Sequence, residues 1–190
     1  MQTSDDLAVR SDGTIYFSDP IISHGDFVST LGSLVQHPYY WVKPKNDMGQ
    51  REIMRVGAAS MPNGVRLSPD EKTLYIAAFF DDRILKFDVM PEGSLSEPKI
   101  FASGLPSADS MCLDVAGNVY VGVDAGLQVL RPDGSKVKVI PIDARATTNC
   151  GFGGPDGKTL FITAWTVMAQ VENMPVPGLD WWKNQRMHCN

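Results

Sequence analysis

The sequence lacks an excess of basic residues and lacks any long apolar run. Its 190 residues include 17 Lys and Arg against 22 Asp and Glu, which gives a formal net charge of -5. Nucleic acids and anionic membranes bind basic surfaces, so we expect neither as a partner. No run approaches the roughly 18 consecutive apolar residues that a spanning helix requires. The first residues are polar and acidic, so we expect no signal peptide in this chain. A soluble protein is therefore expected, with the cytoplasm as the default and the compartment left open.

Cysteine and histidine are scarce as well. Three cysteines (Cys112, Cys150 and Cys189) and three histidines show none of the spacings of a zinc site. Cys112 and Cys150 lie in apolar, strand-like runs, which favours buried, inert thiols. There is no Gly-x-Ser-x-Gly motif and no serine paired with a histidine, so a serine-hydrolase triad is not expected.

Helical periodicity is nearly absent, and short runs of β-branched and aromatic residues recur instead. Each run follows a turn, and four such units align on Asp12, Asp70, Ala116 and Asp156, with starts 58, 46 and 40 residues apart. Repeats of about 40–50 residues with several strands each are typical of β-propeller blades. The long first interval indicates an insertion over residues 20–50. A single β-sandwich is the alternative, although repeats in phase fit it poorly.

We therefore predict an all-β chain that forms one partial propeller domain over residues 1–190. About three and a half to four blades of a six-bladed type are expected in it. The predicted blade repeats lie near residues 5–57, 63–103, 109–141 and 149–173, with a tail over 174–190.

Four acidic or amide residues lie seven positions before the aligned turns: Asp5, Asn63, Asp109 and Asn149. The innermost strand of every propeller blade runs along the central channel, so equivalent positions should ring that channel at one height. Converging carboxylate and amide oxygens are the ligands that a hard divalent cation needs. Asp and Asn also open strands and cap turns, so each of the four residues has a structural alternative.

The motifs around these positions resemble those of the gluconolactonase, senescence-marker-protein and luciferin-regenerating-enzyme family, and they come in that family's order. They are SDDLAVRSDG at 4–13, MPNGVRLSPDEKTLYI at 61–76, DSMCLD at 109–114 and TTNCGFGGPD at 147–156. The resemblance implies a six-bladed propeller with one divalent cation on its axis. Its ligands would be a Glu from the first blade and the residues matching Asn63 and Asp109. The position matching Asp5 is usually Asn, which holds a metal-bound water or the substrate.

For this chain the resemblance implies a metal-dependent hydrolase of sugar-acid lactones or related small cyclic esters. Asn63, Asp109 and Asp5 would bind the cation, and Asp109 would be the catalytic residue that orients a water or accepts its proton. Asp5, Asp6 and Asn149 would contact the substrate. Calcium is the expected ion, with magnesium, manganese and zinc as alternatives.

Two departures from the family pattern bear on activity. Asp5 stands where Asn is usual, and the chain begins inside the family's Asn-Asp-Leu motif, so the ligand Glu and about two blades are expected to be missing. Whether this chain alone is an active enzyme is left open.

The alternative is a non-catalytic propeller fragment that binds calcium or a protein partner. Open strand edges would favour self-association or complementation by another segment. A strictosidine-synthase-like condensing propeller fits the blades but not the ring of Asp and Asn.

Overall fold

The computed structural model describes residues 5–20, 36–42 and 53–179. Over 36–42 and most of 53–60 it describes the backbone path without the side chains. These residues form 15 β-strands and one short 3-10 turn, Phe79–Asp81. The all-β prediction is therefore confirmed. Within the described ranges, no helix is long and apolar enough to cross a membrane.

The described strands form four antiparallel sheets, each built from strands that are consecutive in the chain. The first sheet contains β1 (Leu7–Val9), β2 (Ile15–Ser18), β3 (Gln36–Val42) and β4 (Ile53–Ser60). The second contains β5 (Pro62–Leu67), β6 (Thr73–Ala78), β7 (Arg83–Asp88) and β8 (Lys99–Ser103). The third contains β9 (Met111–Leu113), β10 (Val119–Val123), β11 (Gly126–Leu130) and β12 (Lys136–Pro141). The last is three-stranded, with β13 (Asn149–Gly153), β14 (Thr159–Ala164) and β15 (Val167–Val171).

By its internal contacts the chain divides into two compact units, over residues 1–108 and 109–190. The first unit contains the first two sheets, and the second unit contains the other two. Apart from β3, the 20–50 insertion lies almost entirely outside the described residues.

In the first unit the two sheets pack around one apolar cluster. Period-two alternation shows in β1, where Leu7 and Val9 are exposed and Ala8 is buried against the second sheet. Burial of each large apolar side chain contributes about 1.5–3 kcal/mol, so this cluster dominates the association of the two sheets. Its buried members are Ala8, Tyr16, Ala59, Val65, Leu67, Leu74, Ile76, Ala78 and Phe87.

Polar contacts between turns also join the two sheets of the first unit. Ser11 donates its amide and its hydroxyl to the Glu71 carboxylate. The Tyr16 hydroxyl donates to the Gly93 carbonyl at 2.8 Å. Arg10 donates to the carbonyl of Pro91 at 3.0 Å. These contacts lie at the turns that follow β1, β5 and β7, at the opposite end of the strands from Asp5 and Asn63.

The second unit has its own apolar cluster, and the chain after β15 returns to cover it. The buried members are Cys112, Tyr120, Leu127, Val129, Cys150, Leu160, Ile162 and Met174. Met174 donates its amide to Lys158, and Leu179 donates its amide to Leu113, so residues 174–179 bind both sheets of this unit. Residues 174–179 of the tail thus pack on this unit, while residues 180–190, including Trp181 and Trp182, lie outside the described residues.

Candidate functional site

Three of the predicted site residues lie together at one end of the first unit, where Ser18 links them. The Ser18 carbonyl accepts the Asp5 amide at 3.2 Å, and the Ser18 amide donates to the Asp6 carbonyl at 3.1 Å. The Ser18 hydroxyl donates to the Asn63 carbonyl at 2.7 Å. Because Ser18 ends β2 while Asp5 and Asp6 precede β1 and Asn63 lies in β5, these bonds hold the ends of three strands in one place.

Asn63 lies in a β-bulge of the second sheet. The register between β5 and β6 shifts between Pro62 and Val65, and Met61 just before it has a φ of 54°. Bulges re-aim side chains and are common beside functional sites. The Asn63 residue is 7% exposed. Among the described residues its side-chain amide makes no hydrogen bond, and its oxygen and nitrogen are not buried away from solvent. An accessible amide oxygen of this kind suits a hard cation.

Asp5 is an exposed residue whose backbone is linked through Ser18 to the backbone of Asn63. Partial burial of the carboxyl group, together with the neighbouring Asp6 charge, raises the pKa of Asp5 above its usual value. A raised carboxyl pKa means that the charged form is disfavoured at this place in the absence of a cation. Positive charge bound nearby would lower it again, so this feature also fits a cation site.

Asp6 is engaged in a structural contact. Its carboxylate accepts the Arg66 guanidinium at 2.7 Å, the Val65 amide at 3.0 Å and the Leu7 amide at 2.8 Å. Both charged side chains are about four-fifths buried, with 17% and 21% exposure. Asp6 therefore joins β1 to β5, and its predicted contact with substrate stays a prediction.

Asp109 and Asn149 belong to the second unit, where their segments are bound to each other. The Ser110 amide donates to the Thr148 carbonyl at 3.1 Å. The Asp109 amide donates to Gly122 at 3.0 Å, and the Gly122 amide returns a bond to Ser110. The two segments therefore meet on the end of β10. Convergence of Asp5, Asn63 and Asp109 on one axis stays a prediction.

Asn149 is the first residue of β13 and is exposed. Its side-chain oxygen accepts the Cys150 amide at 2.8 Å. Thr148 before it donates its amide to Thr163 at 2.8 Å, and its hydroxyl lies 3.0 Å from the Thr163 hydroxyl. With its oxygen used in this local bond, Asn149 presents its side-chain nitrogen as a donor, which suits a substrate oxygen better than a cation.

Cys112 and Cys150 are joined in a disulfide, so the expectation of two free thiols was wrong. Both residues are buried, as predicted, at 7% and 9% exposure. They lie on β9 and β13, the first strands of the two sheets of the second unit, and their Cα atoms are 5.7 Å apart. The two cysteines are 38 residues apart in sequence, so their proximity could not be predicted from spacing. It arises from the packing of two neighbouring sheets.

Other residues near the candidate site were missed by the sequence reasoning. Asp19, directly after β2, is a carboxylate with only 3% exposure, and Ser18 is fully buried. In the second unit, Trp165 follows β14 with a left-handed φ of 52° and is 63% exposed. The Arg145 guanidinium lies 4.7 Å from the centre of the Trp165 ring. Neither the exposure nor the backbone conformation of Trp165 is visible in the sequence, so sequence reasoning had no signal for it.

No group of three or more His, Cys, Asp or Glu side chains in the described part of the chain is arranged to hold a metal ion. The unit-1 donors described above are instead one carboxylate, Asp5, and one amide, Asn63. Both are oxygen donors, which calcium and magnesium prefer and which differ from the nitrogen and sulfur ligands of zinc.

The sequence pattern of the SMP-30/Gluconolactonase/LRE-like region matches residues 2–166. The chain belongs to this family. Gluconolactonase of Zymomonas mobilis is 29% identical over 84% of the chain, and regucalcin of Xenopus laevis is 30% identical over 54%. The chain spans about half or less of these relatives, 47% of the first and 36% of the second.

Solved structures of the SMP-30/gluconolactonase family carry the same fold. A gluconolactonase of Xanthomonas campestris superposes with a TM-score of 0.74 and 27% identity, over 94% of this chain and 58% of its own. A luciferin-regenerating enzyme superposes with a TM-score of 0.75 and 18% identity, over 92% of this chain and 62% of its own. The fold is therefore that of a β-propeller, of which this chain provides a part.

Proposed function

We propose that this chain is the cation-binding part of a lactonase that hydrolyses sugar-acid lactones or related small cyclic esters. Membership of the gluconolactonase-like family supports the reaction class. The observation that carries the proposal is Asn63, a residue of 7% exposure in a β-bulge whose side-chain amide makes no hydrogen bond among the described residues. Its amide oxygen is therefore available to a hard cation, which prefers oxygen ligands.

Asn63, Asp5 and Asp109 would hold the ion, with calcium as the first choice. The assignment of Asn63 and Asp5 as ligands is supported by the hydrogen bonds around Ser18. The assignment of Asp109 is supported by its motif and by the backbone hydrogen bonds of its segment. A divalent cation at such a site polarises an ester carbonyl and lowers the pKa of a nearby water. Asn63 contributes an oxygen without charge, while the carboxylates balance the charge of the ion.

In the proposed reaction Asp109 is the general base. It accepts a proton from the water whose oxygen bonds to the lactone carbonyl carbon, and it returns that proton to the ring oxygen as the carbon–oxygen bond of the ring breaks. The overall reaction is balanced, because one water and one lactone give one hydroxy acid. The Asn149 side-chain nitrogen would donate to a substrate oxygen, and Asp5 and Asp6 would complete the substrate contacts.

Hydrolysis of gluconolactone by the protein with saturating calcium tests this proposal. Asp109→Asn should lower turnover by about 100-fold or more while the circular dichroism spectrum stays unchanged, because the amide cannot act as a base. Asp133→Asn is the matched control, since it removes the same charge from an exposed turn of the same unit. Equal turnover of wild type and Asp109→Asn would contradict the assigned role. Calcium binding without turnover in wild type would instead support a non-catalytic binding module.

A further inference from the structure

We propose that Cys112 and Cys150 form a reversible thiol–disulfide site that controls the order of the two segments carrying Asp109 and Asn149. The disulfide links β9 to β13, which belong to different sheets and share no ladder of hydrogen bonds. Asn149 is the residue directly before Cys150, and Asp109 is three residues before Cys112. The oxidation state of this pair therefore acts within a few residues of both predicted site side chains.

Near the site, backbone hydrogen bonds accompany the crosslink. The bond from the Ser110 amide to the Thr148 carbonyl joins the same two segments at 3.1 Å. Thr148 is further tied to Thr163, but this bond is within the β13–β14 sheet and does not reach β9. When the disulfide opens, hydrogen bonds and apolar packing still hold these segments, including the bond of the Thr147 amide to the Val123 carbonyl, but the covalent link between β9 and β13 is lost.

The surroundings accommodate both oxidation states. The Cys150 sulfur lies 3.4 Å from the Tyr120 carbonyl oxygen. In the reduced protein a Cys150 thiol would donate its proton to this carbonyl, so the Cys150 sulfur has a hydrogen-bond partner when it is reduced. The remaining neighbours are apolar members of the same cluster, including Leu127 and Ile162. A site that packs in both states can change state without unfolding the unit.

The chemistry is exchange with a small-molecule thiol. Two such thiols supply two electrons and two protons; the bond between the Cys112 and Cys150 sulfurs breaks, two protein thiols form, and the small molecules leave as one disulfide. A small-molecule disulfide reverses the step. Because the cysteines are only 7% and 9% exposed, attack requires the segment to open. Cys150 follows the exposed Asn149, so opening should begin there.

The test uses the full chain with Cys189→Ser, which leaves only the pair. Thiol titration of the denatured protein should give no thiol after treatment with oxidised glutathione and two per chain after dithiothreitol. Amide hydrogen exchange of Ser110 and Thr148 should be on the order of tenfold faster in the reduced form, while exchange in β11 stays unchanged. Adding Cys112→Ala and Cys150→Ser should reproduce the fast exchange and abolish the response to either reagent.

Equal exchange at Ser110 and Thr148 in both forms would overturn the proposal, as would two free thiols after every oxidising treatment. The consequence for cation binding rests on the proposed function and is measured separately, by titration with calcium alone. Weaker calcium binding by the reduced form, by about tenfold, would support the coupling. If neither form binds calcium while the exchange rates still differ, the proposed cation site fails and the thiol–disulfide site stands.

Discussion

At the scale of single residues, Asn63 and Asp6 lie close to each other in the first unit and are used in opposite ways. Asp6 is fully engaged with Arg66 and the Val65 amide, while the Asn63 side chain has no partner among the described residues. Asp6→Ala should lower the free energy of unfolding by about 2–3 kcal/mol, because the largely buried Arg66 guanidinium loses its carboxylate partner and the Val65 amide loses its acceptor. Asn63→Ala should stay within about 1 kcal/mol of wild type.

Urea unfolding in the presence of a chelator measures both variants without a contribution from bound cation. Arg66→Ala serves as the control for Asp6→Ala, and the double variant should cost less than the sum of the single ones because the two residues form one pair. Equal destabilisation by Asn63→Ala and Asp6→Ala would show that the Asn63 amide has a structural role.

Tyr16 predicts how the first unit responds to alkaline pH. Burial of its ring raises the pKa of the Tyr16 hydroxyl from 10.0 to about 12. A folded pKa above the unfolded one means that the protonated form stabilises the fold below pH ~10, and that this contribution is lost as the pH rises towards ~12. Tyr16→Phe should therefore show a shallower loss of stability between these values. It should also be slightly less stable at neutral pH, because the bond to Gly93 is gone. A parallel pH dependence in the two proteins would contradict this assignment.

At the scale of elements, Gly122 in β10 allows two site segments to approach each other. A methyl group at this position would clash with the Thr147 carbonyl oxygen. Gly122→Ala should therefore cost about 1–3 kcal/mol and displace the segment that carries Thr148 and Asn149. Gly151→Ala in β13 is the matched control, since no atom lies within 4 Å of its added methyl group. Thermal unfolding and the amide exchange of Ser110 compare them. A Gly122→Ala protein that matches Gly151→Ala in both would show that the close approach is unimportant.

The strands were predictable from the sequence because each carries its own local signal. The run at 73–76 is part of β6, and the run at 159–162 is part of β14, each following an Asp-containing turn. The Asp70 side chain shows why such turns recur: its carboxylate accepts the Ser68 hydroxyl and the Lys72 amide, which lowers the pKa of Asp70. These contacts span few residues, so composition and spacing were sufficient.

The contacts between elements were not predictable in the same way. The bulge at Asn63, the bridge through Ser18 and the disulfide between Cys112 and Cys150 each depend on how neighbouring strands or sheets meet. Spacing could mark Asp5, Asn63, Asp109 and Asn149 as equivalent positions. It could not show that Asp6 is already paired with Arg66, or that the Asn149 oxygen is used by the Cys150 amide.

At the scale of the whole molecule, both units carry apolar side chains that their own sheets leave exposed. In the first unit Leu7 and Val9 on β1 are 55% and 49% exposed. In the second, Val167 and Met168 on β15 are 43% and 69% exposed. Such faces and open strand edges favour association. We propose that the chain self-associates or is complemented by another propeller segment.

Light scattering coupled to size-exclusion chromatography tests this association. The wild-type chain should elute above the mass of a monomer, and Val9→Lys together with Met168→Lys should shift it towards the monomer. Leu7 and Val167 remain in that variant, so a partial shift is expected. A wild-type chain that is monomeric at every accessible concentration would contradict the proposal.

Calcium titration calorimetry of the full chain tests the central claim most directly, because it asks whether Asn63 and Asp109 act on one ion. The wild type should bind one calcium per chain. Asn63→Ala and Asp109→Asn should each weaken binding by about tenfold or more, while Asp133→Asn should bind like wild type. The account would be contradicted if wild type showed no saturable binding, or if Asn63→Ala and Asp109→Asn bound calcium as tightly as wild type.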